Sequence, residues 1–213
     1  MIAVALTVLA YLIGSVSFAV IVSRAFGLPD PRTYGSGNAG ATNVLRSGRR
    51  AAAALTLLGD GAKGWLAVFV AGHFAPPGSA ETVSALAAVA VVAGHAYPVF
   101  FRFEGGKGVS TALGVLLAFN HYLAAGAAAT WIIVALIFRI ASLAALISAV
   151  FVPLLCFLLY GAHPYTYAVS IVSLLLLLRH RSNIRNLLAG REGRIGEQDP
   201  GPGIQDSGGP ADR

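Results

Sequence analysis

The residues able to do polar chemistry fall into four short runs set between apolar stretches. They are "GSGNAGATNVLR" (35–46), "GDGAKG" (59–64), "GHAYPVFFRFEGGKGVST" (94–111) and "RHRSNIRNLLAGRE" (179–192). Glycines let backbone N–H groups approach an oxyanion and form a nest. Arg46 offers a planar fork for phosphate, and Lys107 a point charge on the frame "GGKG". Together these point to an anion, and specifically to phosphate. The nucleotide loop does not fit, because Gly108 stands where Ser or Thr must follow Lys107. "GSGNAG" follows no strand, so the dinucleotide fingerprint lacks its context.

Plainer roles exist for each residue alone. Gly35, Gly37 and Gly40 can simply shape a tight loop. Arg49 and Arg50 suit headgroup anchors, and Tyr34 and Trp65 suit an interfacial belt. Asp60 and Lys63, three apart, form either a structural ion pair or part of a site. His95 can satisfy a helix end and Ser142 can cap one. His73, His121 and His163 fall at outer interfaces and receive no role. Only the four runs taken together demand a functional reading.

The elements that position them are membrane spans. Of 213 residues, 56% are hydrophobic and 11% charged, with mean hydropathy +0.73. A soluble domain carries about a quarter charged residues. The net charge of +6 is dispersed between apolar segments, so it reads as topology rather than nucleic-acid binding. The lone Cys156 permits no intrachain disulfide, which fits a bacterial-type inner membrane protein. The N-terminus lacks a basic flank and is too long for a signal peptide, so it reads as a retained span.

A span needs about 20 apolar residues. Candidates are 2–23, 51–75 (with its membrane portion from Trp65), 82–101, 143–160 and 165–178. The stretch 109–138 is too long for one crossing, and "FNH" at 119–121 splits it into 109–119 and 122–138. Seven spans with the N-terminus outside put every Lys and Arg except Lys63 on the cytoplasmic side. Six spans would move Arg139 and all that follows to the other side. The expected fold is therefore an all-α integral membrane protein of seven transmembrane helices, N-terminus outside and C-terminus cytoplasmic. Residues 1–196 form a single catalytic domain, and 197–213 a disordered cytoplasmic tail. This topology gathers the four polar runs at one membrane face.

In order and spacing, "GSGNAGATNVLR", "GDGAKG", "AGHAYPVFFRFEGGKGVST" and "HRSNIRNLLAGRE" resemble the bacterial membrane glycerol-3-phosphate acyltransferases that use acyl phosphate as donor. The match runs from residue 10 to 196. The resemblance implies seven spans, an outside N-terminus and formation of 1-acyl-glycerol-3-phosphate for phospholipid synthesis. It also implies an inner-membrane location with the site on the cytoplasmic side. By resemblance, Ser36, Asn38, Thr42, Asn43, Arg46, Lys63, Gly105, Gly106, Lys107, Gly108, Ser142, His180 and Asn183 carry the site. The implied partners are glycerol 3-phosphate, acyl phosphate, the bilayer and an enzyme that supplies acyl phosphate, with no cofactor, metal or nucleic acid. One departure is visible: the family has a basic residue then leucine where this chain has Asn186 and Leu187, with Arg185 one position earlier. Glu192 is present, and Arg194 stands where lysine is common.

Acyl phosphate carries a good leaving group, so no enzyme nucleophile is needed. No nucleophile elbow and no His-x4-Asp dyad is present. Positioning and electrostatics remain. In the expected division, Gly35, Gly37, Gly40, Ser36, Asn38 and Thr42 cradle the acyl-phosphate head. Arg46, Lys107 and Ser142 hold glycerol phosphate with Lys63 nearby. Ser36, His180 and Asn183 form the catalytic group, and either His180 or the departing phosphate takes the proton. A carrier for organic phosphates and a CDP-alcohol phosphotransferase are the rival readings. No inverted repeat supports the first, and the metal-binding aspartates of the second are missing.

Overall fold

The computed structural model describes residues 1–195, and the expected tail at 197–213 lies outside them. The described residues are helical throughout, without strands. Five helical stretches are long and apolar enough to cross a membrane: Ile2–Ala25, Arg50–His73, Ala80–Phe101, His121–Phe138 and Ala141–Tyr160. Two shorter apolar helices, Val109–Phe119 and Pro164–Arg179, pack among them.

The first expected span is not one helix. It is α1 (Ile2–Gly14) and α2 (Phe18–Ala25), broken at Ser15–Val16–Ser17. Ser15 joins the break to the start of the 3-10 turn after α5. Ser15 Oγ donates back to the Tyr11 carbonyl at 2.9 Å and accepts the Val99 amide at 3.3 Å. Side chains of this kind compete with the helical ladder.

A short helix α3 (Ala41–Leu45) follows the glycine loop, and then α4 (Arg50–His73) runs unbroken through "GDGAKG". The interruption that the sequence suggests at 59–64 is thus not a break in the helix. The glycines there do not end the helix but let neighbours come close. A Cβ on Gly59 would strike the Phe18 ring, and one on Gly64 would strike the Thr111 backbone. Backbone approach through small residues is how helices associate in lipid, where apolar transfer between helices gains little.

α5 (Ala80–Ala96) packs on α1, with Gly94 against the Tyr11 backbone. A 3-10 turn at Val99–Phe101 leads into the "GGKG" loop. α6 (Val109–Phe119) and α7 (His121–Phe138) meet at Asn120, as the polar "FNH" turn predicts. Its side chain caps α7 by accepting the Tyr122 amide at 2.7 Å, and its amide donates to the Tyr160 hydroxyl at 2.8 Å. α8 (Ala141–Tyr160), α9 (Pro164–Arg179) and the short α10 (Arg181–Leu188) complete the order. One core cluster joins α1, α4, α5, α6 and α9. A second, built on fully buried Leu123 and Cys156, joins α6 to α9.

Candidate active site

One cavity of about 670 Å³ runs from the ends of several helices down between α6, α7, α8 and α9. Its volume lies in the range of small-ligand sites, roughly 300–1,000 Å³. The upper part is polar, lined by Ser36, Asn38, Thr42, Arg46, Lys107, Ser142, His180 and Asn183. The lower part is apolar, lined by Leu113, Leu116, Ala127, Trp131, Ala149, Val152, Val169 and Val172.

Three helix starts open on the polar end. Gly108 precedes α6 with φ +86°, Ser142 lies in the first turn of α8, and His180 precedes α10. First-turn amides lack intrahelical partners and carry partial positive charge, so this end favours anions. Lys107 and Arg46 add full charges. Burial lowers the Lys107 ammonium below its usual pKa; Arg46 and Arg179 push the same way, and Glu192 opposes them.

The glycine loop is built by Asn43. Its amide donates to the Pro31 carbonyl at 2.6 Å and the Tyr34 carbonyl at 3.2 Å, and its oxygen accepts the Ser36 amide at 3.0 Å. Gly35 and Gly37 take φ of +57° and +65°, which L-residues other than glycine rarely adopt. Asn43 and Gly40 touch the cavity, whereas Gly35 and Gly37 shape the loop behind it.

Gly105 and Gly106 also lie behind the lining. Their place is against α5: the Gly106 amide donates to the His95 carbonyl at 3.1 Å, and a Cβ at either position would strike His95. Lys63 is likewise turned from the cavity. Its Nζ donates to the Val16 carbonyl at 2.6 Å, left free by the α1–α2 break, and pairs with Asp60 at 2.8 Å. Asp60 and His95, 3.5 Å apart, are the members of this buried group that reach the cavity.

His180 is buried, and its Nδ1 donates to the Leu176 carbonyl at 2.7 Å. A carbonyl only accepts, so the neutral ring carries its proton on Nδ1 and leaves Nε2 with a lone pair. Burial drives its pKa down to about 4, helped by the positive charges of Lys107 and Arg179. The ring is therefore neutral at pH 7.

Two residues that sequence reasoning gave no role organise this end. Glu192 Oε1 accepts from Ser142 Oγ at 2.7 Å and from Asn183 Nδ2 at 2.6 Å, tying α8 and α10 to the following segment. The Ile195 amide continues the tie by donating to the Arg139 carbonyl at 2.7 Å. Arg179 donates to the carbonyls of Gly105 at 2.9 Å and Gly106 at 3.2 Å and stacks over Tyr97. Glu192 closes the fourth polar run, a visible signal. Arg179 is one of many arginines, and its reach to the glycine loop exists only in three dimensions.

The comparisons with known proteins agree with this geometry. The glycerol-3-phosphate acyltransferase profile matches residues 4–190. A glycerol-3-phosphate acyltransferase of Ralstonia nicotianae is 60% identical over 196 residues, covering 92% of this chain and 95% of the relative. One from Burkholderia pseudomallei is 61% identical over 194 residues, covering 90% and 95%. Among solved structures, PlsY (YgiH), an integral membrane glycerol 3-phosphate acyltransferase, superposes in its glycerol 3-phosphate form with TM-score 0.85. It is 36% identical, and the match covers 91% of this chain and 96% of that one. The lysophosphatidic acid form of the same protein gives TM-score 0.84. The chain belongs to the glycerol-3-phosphate acyltransferase family of integral membrane enzymes.

Proposed function

We propose that this enzyme moves a fatty acyl group from acyl phosphate to the sn-1 hydroxyl of glycerol 3-phosphate, giving 1-acyl-glycerol-3-phosphate and phosphate. The observation that carries this reading is one continuous cavity, cationic above and apolar below, which matches an anionic head joined to an alkyl chain. The hydroxyl oxygen attacks the acyl carbon, the bond from that carbon to the phosphate oxygen breaks, and phosphate leaves.

Ser36, Asn38 and Thr42 hold the acyl-phosphate head, and Arg46, Lys107 and Ser142 the glycerol phosphate. Asn183 and His180 orient the attacking hydroxyl through the free Nε2 of His180. A ring with pKa near about 4 is a poor proton acceptor at pH 7. A phosphate with its second pKa near about 6 is a better one. The departing phosphate therefore takes the proton. Lys63, Gly105 and Gly106 serve by holding the frame, and so do Gly35 and Gly37.

The five long apolar helices and two shorter ones support seven spans, and the placement of Lys and Arg supports an outside N-terminus and a site at the cytoplasmic face of the inner membrane. Residues 1–196 act as one catalytic domain. Cys156 is the single cysteine and is buried. Cysteines introduced at Arg50 and His121 should therefore label from opposite sides.

The deciding experiment supplies the purified protein with tetradecanoyl phosphate, with and without glycerol 3-phosphate, and tetradecanoyl-CoA in parallel. Phosphate release that needs glycerol 3-phosphate, with lysophosphatidic acid formed only from the acyl phosphate, is the expected result. Product from the CoA ester would overturn the donor assignment.

A further inference from the structure

The apolar part of the cavity changes character with depth. Near the polar head its walls are small: Ala141, Ala145 and Ser148 on α8, and Ser173 on α9. At the head end of the apolar part, Leu113 on α6 and Ile132 on α7 are 37% and 50% exposed, so its wall there lies close to the protein surface. Deeper down the lining residues are shut off from the surface. Leu116, Ala127, Val152 and Val169 are each at most 6% exposed.

These four residues belong to the second core cluster, whose centre is Leu123 and Cys156, both at 0% exposure. Beneath lie the stacked rings of Phe119 and Tyr165, with centroids 4.0 Å apart, and the Tyr160 ring edge-on to Tyr165. The cavity thus ends on packed core. Cores of this density do not yield to an added methylene without strain.

We propose that the floor formed by Leu116, Ala127, Val152 and Val169 sets the longest acyl chain that this cavity accommodates. The inference rests on the reading that the apolar part holds the donor's acyl chain. The depth gives it a scale. From Ser142 to Val152, α8 advances about 15 Å at about 1.5 Å per residue. An extended covalent chain advances about 1.2 Å per bond, a third of the reach of one residue. The depth corresponds to about a dozen carbon–carbon bonds. Val152 sits where the methyl end of such a chain arrives, and Val169 faces the same level from α9.

The test measures kcat/KM for acyl phosphates of ten, twelve, fourteen and sixteen carbons with the full-length enzyme and three variants. Val152→Phe fills the floor. It should lower kcat/KM for the fourteen-carbon donor relative to the ten-carbon donor by about tenfold, the order expected for forcing volume into packed space. A monodisperse size-exclusion profile in detergent, matching that of the unsubstituted enzyme, would show that the variant folds. Val152→Ala opens room toward Cys156 and should shift preference toward longer donors. Val150→Phe, on a side chain 66% exposed on the same helix, should leave the length profile unchanged.

A uniform loss across all donors in Val152→Phe, together with an unchanged profile in Val152→Ala, would overturn the proposal. No product from any acyl phosphate in the unsubstituted enzyme would instead overturn the donor reading on which it rests.

Discussion

Arg179 donates to the Gly105 carbonyl across 2.9 Å, bridging the end of α9 to the loop that carries Lys107. A second bond to Gly106 and stacking over Tyr97 make the guanidinium a three-way clamp. Its fork suits two adjacent carbonyls, which a lysine reaches singly.

Arg179→Gln removes that fork while leaving the cavity lining intact. The expected outcome is a rise of about thirtyfold in KM for glycerol 3-phosphate with a smaller change in kcat, since loss of one net hydrogen bond is worth about 1 kcal/mol and the clamp has two. Steady-state kinetics on purified protein checks it. An equal fall in kcat with unchanged KM would contradict a positioning role.

Glu192 joins Ser142 and Asn183 through one oxygen. Glu192→Ala leaves Asn183 Nδ2 without this acceptor, and the Asn183 Oδ1 already has no hydrogen-bond partner. Unpairing a buried polar group costs about 1–3 kcal/mol. The variant should unfold at lower temperature in detergent, and Glu192→Gln, which keeps an acceptor oxygen, should recover most of the loss.

Gly114 lies against the Gly61 carbonyl where α6 crosses α4, and a Cβ there would overlap the α4 backbone. Gly114→Ala should cost more than about 3 kcal/mol, beyond the usual overpacking range, because backbone cannot step aside. Gly78, at φ +75° with nothing near its Cβ position, provides the contrast. Gly78→Ala should cost only about 1–2 kcal/mol of left-handed strain. Yields of folded protein by size exclusion would rank the two.

His180 gives a pH signature. Its folded pKa is about 4, against an unfolded value of 6.5. Above the unfolded value neither state binds the proton. As pH falls from there toward about 4, only the unfolded chain gains it, so stability declines across that window. At pH 5 the cost is about 2 kcal/mol. His180→Gln should lose less thermal stability than the parent between pH 7.5 and 5. Equal losses would argue against a buried neutral ring. The same variant, if active with an unchanged pH–rate profile, supports proton transfer to the departing phosphate.

Apolar length and the "FNH" turn made the helix sequence legible, including the division of 109–138. Helix continuity at glycines was not. "GDGAKG" reads locally as a break, yet Gly59 and Gly64 are contact points whose partners, Phe18 and Thr111, are remote in sequence. The opposite error arose at Ser15–Ser17, where an apolar run hides a break that Ser15 joins to the 3-10 turn after α5. The four polar runs revealed where the site lies because charge at membrane depth needs a reason. Which residues face the cavity stayed hidden, since lining depends on helix rotation. Lys63 and Lys107 look alike in sequence, yet one answers a free carbonyl and the other lines the cavity.

The closed floor has a directional consequence. A cavity whose polar end meets Thr42 and Arg50 at the surface, and whose far end stops at the cluster of Leu123 and Cys156, opens toward one end of the helix bundle. On the activity and orientation proposed above, a lipid made there rejoins the leaflet from which its precursor came, and the opposite leaflet is stocked by separate transbilayer movement.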